Sequence, residues 1–266
     1  MHDLIDWKSV ENINRTGCYS SAFPDRKSVL EEYGLPYDRK AENAVITGCQ
    51  ILALLPDVLA SLSRFFDKRG FSHTFLSEEY CCGNYLYRPA IKARDEQAMD
   101  ECRELSKGFV SKTIASAKRF GVKRLVIFCS PCYPIYKHAA PDEDIIFYPQ
   151  AIDEVLEETA LRTKIDFYAG CYRLHRKFSA IPMDLASTDR VFDKISGLEI
   201  NRISAPACCY KPEGVSHMID NVVTDQMVHI CTGCYARAME FMPGEKAVRI
   251  MMLPEFLEML TAEKPL

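Results

Sequence analysis

Short apolar strands alternating with helical stretches, a Gly-Cys corner closing one strand in each half, and a Cys-x-x-Cys-Tyr element recurring later in each half predict an α/β protein. Because the order of elements repeats, the expected architecture is two pseudo-symmetric lobes with mainly parallel sheets and crossover helices on their faces. In such sheets ligands gather beyond the carboxyl ends of the strands, so metal clusters are expected there.

The elements follow in chain order. Residues 1–43, including NINRTGCYSSAFPDRKS, are polar and rich in turn formers and read as an N-terminal extension wrapped on the main body. The first half, 44–150, begins with the strand AVITGC (44–49) and a helical stretch on which Leu55, Val58, Leu59, Leu62, Phe65 and Phe66 recur at helical spacing. FSHTFL (71–76) alternates like a strand and leads to Cys81, Cys82 and Gly83. A long helix is expected over 95–120, then a buried strand KRLVIF (123–128) opening into Cys129-Ser-Pro-Cys132-Tyr133, then the strand DIIFY (144–148).

The second half, 151–266, repeats that order. KIDFYAGC (164–171) is a strand ending in Gly-Cys, LEINRIS (198–204) precedes Cys208 and Cys209, QMVHI (226–230) runs into Cys231-Thr-Gly-Cys234-Tyr235, and AVRIMML (247–253) is the last strand. Five distant cysteines thereby come to one sheet edge in each half.

Composition narrows the function. With 266 residues and 48% apolar content the chain can bury a real core. Its 33 basic and 37 acidic side chains are dispersed, which gives no reason to expect a nucleic-acid or anionic-membrane surface. No apolar run approaches the roughly 18 residues of a membrane span, and the start MHDLIDWKSVENINR lacks an export signal, so a soluble cytoplasmic protein is expected. None of the twelve glycines is paired as Gly-x-Gly, so no flavin or NAD site is expected. No Cys-x-x-Cys-x-x-Cys run of a ferredoxin module appears either.

Twelve cysteines exceed what packing needs. Disulfides belong to exported chains, whereas a reducing compartment leaves thiolates for zinc or iron–sulfur clusters. A lone Cys-x-x-Cys also marks zinc sites and dithiols. A zinc scaffold using Cys129, Cys132, Cys231 and Cys234 would leave both Cys-Cys pairs and both Gly-Cys corners unexplained. Five thiols per half exceed the four of a tetrahedral zinc or a cubane cluster, which favours a cluster with a bridging or extra iron ligand.

The series Cys49, Cys81-Cys82-Gly83, Cys129-x-x-Cys132 and Cys171, Cys208-Cys209, Cys231-x-x-Cys234 resembles the duplicated CCG, or cysteine-rich, domain of the disulfide-cleaving component of heterodisulfide reductase. Similar domains occur in the iron–sulfur subunits of glycolate, lactate and glycerol-3-phosphate oxidoreductases. The resemblance implies that each series holds one noncubane 4Fe-4S cluster, and that a disulfide or related thiol substrate is cleaved by one-electron steps. Catalysis is expected at the first cluster, with Cys81 and Cys82, because that half keeps the Cys-Cys-Gly form and has the longer gap before its Cys-x-x-Cys. The resemblance also implies partner subunits, one ferredoxin-like iron–sulfur protein and one flavoprotein. The alternative within the resemblance is a pure electron-transfer subunit linking a flavoprotein dehydrogenase to a quinone or membrane partner. Two features depart from the pattern: 46 residues separate Cys82 from Cys129 but only 21 separate Cys209 from Cys231, and Tyr210 stands where a glycine is usual.

Other residues have plainer readings. Cys102 lies on the apolar stripe of a helix and is expected in the core, and Cys18 is expected to be a loop or core thiol despite following Gly17. His229 shares a strand face with Cys231 and is expected to be structural. Gly83 is expected to give a substrate sulfur room to approach, and the segment NYLYRPAIKARD either to line a pocket or to dock a partner subunit. Lys137, Arg173 and Lys211 follow cysteine motifs closely and read as solvated.

Overall fold

Runs of β-branched and aliphatic residues supply the central strands. β1 (Asn43–Ile46), β2 (His73–Thr74), β3 (Arg124–Ile127) and β4 (Asp144–Phe147) form a parallel sheet in the order β2-β1-β3-β4. β5 (Thr159–Tyr168), β6 (Ile195–Arg202), β7 (Gln226–His229) and β8 (Arg249–Met252) form a second parallel sheet in the order β6-β5-β7-β8. The two orders are the same, each half placing its first strand beside its third. This is the α/β architecture of two pseudo-symmetric lobes with parallel sheets that the repeat predicts. β1 is buried along its whole length, as expected of a parallel strand covered on both faces.

The computed structural model describes residues 2–172 and 180–262. The chain divides into two compact units whose main boundary falls between Tyr148 and Pro149, with Arg64–Phe71 grouped in the second.

Differences from the sequence reading have local causes. The helical stretch after Cys49 is two helices, Cys49–Leu54 and Pro56–Asp67, because Pro56 has no N–H to continue the first. The long helix spans Glu96–Lys118, started by the Asp95 side chain accepting from the Ala98 amide at 2.9 Å. Residues 1–43 contain two helices that the turn-rich composition hides, Trp7–Thr16 and Arg26–Glu32. The acidic residues that read as turn formers are their caps, Asp6 accepting from the Ser9 amide and Asp25 from the Ser28 amide. Ile13 and Leu30 on these helices are fully buried, so this segment contributes to the core of the first unit.

No helix among the described residues is long and apolar enough to cross a membrane.

Candidate metal centres

The register of each sheet brings a Gly-Cys corner against a Cys-x-x-Cys. In the first unit Val45 pairs with Val126 and Ile46 with Ile127. Two steps further along the same register, Gly48 falls beside Cys129. Gly48 has φ +78°, and a Cβ there would stand 2.8 Å from Cys129 Cβ, 3.1 Å from its Sγ and 3.4 Å from Cys132 Sγ. In the second unit Tyr168 pairs with His229, and two steps on Gly170 falls beside Cys231. A Cβ on Gly170, at φ +102°, would stand 3.3 Å from Cys231 Cβ and 3.4 Å from Cys234 Sγ. Glycine is needed at both corners for conformation and for the close approach of the thiols.

All five cysteines of the first series come together. Cys49 contacts Cys81, Cys81 contacts Cys82, Cys82 contacts Cys132, and Cys132 contacts Cys129. Cys81, Cys82 and Cys132 are buried, while Cys49 and Cys129 are half-buried. The contact with Cys81, together with burial, raises the Cys49 pKa well above the usual thiol range. The Cys49 contact lowers that of Cys81, but Cys82 and burial outweigh it and the net shift is upward. Cys129 and Cys82 together raise Cys132. Cys82 moves the other way, down to about 6, because the Cys132 and Cys81 thiols stabilise its thiolate against the cost of burial.

In the second series Cys209 and Cys234 lie 3.4 Å apart, and Cys231 contacts Cys234. The Cys234 thiol lowers the Cys209 pKa, while Cys209, Cys231 and burial raise that of Cys234. The second member of each Cys-Cys pair, Cys82 and Cys209, is thus the one whose pKa a Cys-x-x-Cys thiol lowers. Tyr168, at the end of β5, lies in the field of Cys234, Cys209, Cys171 and Cys231, with burial the larger cause of its raised pKa. Among the described residues, no thiol contact is seen for Cys208. It is fixed through its carbonyl, which accepts from the Lys211 amide at 2.9 Å and lies where any side chain on Gly214 would collide with it.

These residues fit a metal cluster. Two groups of soft thiols, one of them largely dry, leave thiolate charge that cations would compensate. Around them are buried polar atoms without a hydrogen-bond partner: Ser130 Oγ and Asn84 Oδ1 beside the first series, and Tyr168 OH beside the second. No three or more His, Cys, Asp or Glu side chains among the described residues are arranged to hold a single metal ion.

The remaining residues divide by burial. Cys102 is a core thiol as expected, its Sγ donating to the Leu86 carbonyl at 3.4 Å. Cys18 is buried too, and burial followed by the nearby Cys49 pushes its pKa up to about 11. His229 is fully buried between Tyr168 and Tyr235, with ring centroids 6.0 and 6.3 Å away, and burial pushes its pKa down to about 3. The imidazole is held neutral, and its two ring nitrogens are buried without a hydrogen-bond partner among the described residues, so it is not the satisfied histidine that the strand position suggests. Lys211 is exposed, and Arg173 lies outside the described residues.

One expectation is corrected, that for Gly83. Gly83, at φ +79°, faces the long helix, and a Cβ there would stand 2.8 Å from Ser106 Oγ and 3.5 Å from a Phe109 ring carbon. Its small size serves helix packing and a left-handed turn. The segment NYLYRPAIKARD folds into a 3-10 turn, Asn84–Leu86, and a helix, Tyr87–Ala93. Tyr87 is core, its OH 3.1 Å from Ser106 Oγ, while Tyr85 is half-buried under the Arg88 guanidinium, 4.5 Å from its ring centroid.

Three groups around the thiols carry no signature in the sequence. Tyr19 donates its backbone N–H to Cys49 and stacks its ring 4.3 Å from that of Tyr85. Arg237 donates to the Cys209 carbonyl at 3.4 Å and lies over the rings of Phe241 and Tyr210, 4.1 and 5.4 Å from their centroids. Glu79 binds the corner that carries Cys49.

No curated protein matches the chain. Residues 43–135, from the first residue of β1 into the helix that begins at Cys132, match the model of the CCG cysteine-rich domain family, and the convergent thiols of this stretch suit an iron–sulfur-type redox role.

Proposed function

We propose that the chain is the iron–sulfur redox subunit of a heterodisulfide reductase-like oxidoreductase complex. In this reading Cys49, Cys81, Cys82, Cys129 and Cys132 hold one noncubane 4Fe-4S cluster, and Cys171, Cys208, Cys209, Cys231 and Cys234 hold a second. The observation that supports it most is the repeated corner, in which Gly48 and Gly170 stand at the same register position beside Cys129 and Cys231.

When bound, such clusters supply one-electron transfer. The protein's own part is to gather the thiols at the carboxyl ends of the strands and to bury them. Metal binding displaces thiol protons, and the lowered pKa values of Cys82 and Cys209 favour that loss. Cys49 and Cys129 are half-buried, and in this reading a small-molecule disulfide would reach the first series on their side, near Tyr19 and Tyr85. Cys81 and Cys82 are the catalytic ligands in this reading. Reducing a disulfide to two thiols takes two electrons and two protons, and the electrons come from a flavoprotein and a ferredoxin-like subunit. All twelve cysteines are free, which suits a reducing cytoplasm.

The experiment is to add small-molecule disulfides to anaerobic, cluster-loaded protein and follow the paramagnetic signal of the first cluster. A signal that changes with disulfide in the wild type, and not in Cys81→Ala, supports a reductase. A signal indifferent to every disulfide, in a protein that still passes electrons from a flavoprotein to a quinone, supports the electron-transfer reading instead.

A further inference from the structure

A buried ion pair ties together the two loops that carry Cys49 and the Cys81-Cys82 pair. Arg26 Nη2 lies 2.5 Å from Glu79 Oε2, with both side chains almost wholly buried. Arg26 also donates from Nε to the Leu76 carbonyl at 2.6 Å and from Nη2 to Thr47 Oγ1 at 2.9 Å. The Glu79 carboxylate accepts from the Thr47 amide at 3.0 Å and from the Gly48 amide at 2.7 Å. Glu79 stands two residues before Cys81, and Gly48 immediately precedes Cys49. The Cys81 amide in turn donates to the Gly17 carbonyl at 2.7 Å, and any side chain on Gly17 would collide with the Glu79 carbonyl.

A buried carboxylate is costly unless it is paired and its oxygens are filled, and both conditions are met here. The acceptor bonds are charge-assisted and aimed at backbone amides, so they fix where the chain turns out of β1. The turn sets the position of Cys49, while the loop holding Glu79 sets that of Cys81, and these two thiols touch. In the second unit the corresponding place, two residues before Cys208, is Pro206, which has no carboxylate to offer.

We propose that Glu79, held by Arg26, is a positioning residue that preorganises Cys49 and Cys81 for the first cluster, a device the second site lacks. The proposal rests on the iron–sulfur reading above for its cluster, but the clamp itself can be measured without metal.

The test uses the full chain with Glu79→Gln, Glu79→Ala and Arg26→Lys. In metal-free protein, amide hydrogen exchange at residues 47–49 should rise roughly tenfold or more in Glu79→Ala, the effect of losing a buried charge-assisted bond, and less in Glu79→Gln and Arg26→Lys. After anaerobic loading with iron and sulfide, Glu79→Ala should lose the first cluster's paramagnetic signal and keep the second, which serves as the control for general destabilisation in the same chain. Unchanged exchange at 47–49 would overturn the clamp. Faster exchange with both signals intact, or an equal fall of both signals, would overturn its positioning role. A wild-type chain that takes up no iron and sulfide would defeat the iron–sulfur reading, and the exchange result would then decide the clamp alone.

Discussion

The thiols of Cys209 and Cys234 lie 3.4 Å apart, joining the second member of a Cys-Cys pair to the second member of a Cys-x-x-Cys. Cys82 makes the same kind of contact with Cys132 in the other unit. The adjacent cysteines therefore play different parts. Cys82 and Cys209 face the Cys-x-x-Cys elements, Cys81 turns to Cys49, and Cys208 has no thiol contact among the described residues.

That asymmetry predicts a labelling pattern. In metal-free protein the half-buried Cys208 should be alkylated readily, and after anaerobic loading with iron and sulfide it should be protected, because the second cluster draws it in. Mass spectrometry of the labelled peptides measures this. Equal labelling of Cys208 before and after loading would mean that the second site uses only the other four thiols.

The two glycine corners differ in tightness, and their alanine variants should differ accordingly. Gly48→Ala puts a Cβ 2.8 Å from Cys129 Cβ at φ +78°, whereas Gly170→Ala meets Cys231 Cβ at 3.3 Å. Both carry positive-φ strain of about 1 kcal/mol or more and both crowd the thiols, but the clash is harder at the first. Gly48→Ala should lose most of the first cluster, and Gly170→Ala should retain part of the second. Iron content and the two paramagnetic signals give the comparison.

Cys81→Ala should remove the first cluster's signal and abolish disulfide turnover while leaving the second cluster reducible. Cys209→Ala should do the reverse for the signals. Turnover that survives in Cys81→Ala would move the substrate site to the second unit.

Cys102 supplies a pH dependence with a definite sign. Its buried thiol has a pKa raised from 9.0 to about 11, with burial the leading cause. In the unfolded chain it ionises at its ordinary value, so its contribution to stability is complete below pH 9 and falls as pH rises toward 11. The fall is at most about 1.4 kcal/mol per pH unit. Denaturant unfolding of the wild type should therefore lose more stability over this window than that of Cys102→Ala. The variant itself should be less stable at pH 7, by roughly 1 kcal/mol for the lost sulfur contacts, with iron uptake unchanged.

Most strands and the thiol sets are legible in the sequence because apolar runs lead directly into the Gly-Cys and Cys-x-x-Cys motifs, whereas β2 is only His73–Thr74 and both Cys-Cys pairs stand several residues beyond their strands. KRLVIF and DIIFY contain β3 and β4, and AVITGC overlaps β1 up to its Gly-Cys corner. The helices at Trp7–Thr16 and Arg26–Glu32 are not legible, since Asp6 and Asp25 read as turn formers until the capped amides are seen. The Arg26–Glu79 pair joins residues 53 apart, and nothing local distinguishes either from the other charged side chains. Gly83 carries the right motif for a reason that only the neighbouring Ser106 and Phe109 reveal.

Whether the two thiol sets hold iron–sulfur clusters is tested most directly by quantifying iron and acid-labile sulfide on the anaerobically purified 266-residue chain, with paramagnetic resonance on the same sample. Roughly eight irons and a matching amount of sulfide per chain are expected, with two distinguishable signals. One or two equivalents of zinc without labile sulfide would contradict the iron–sulfur assignment.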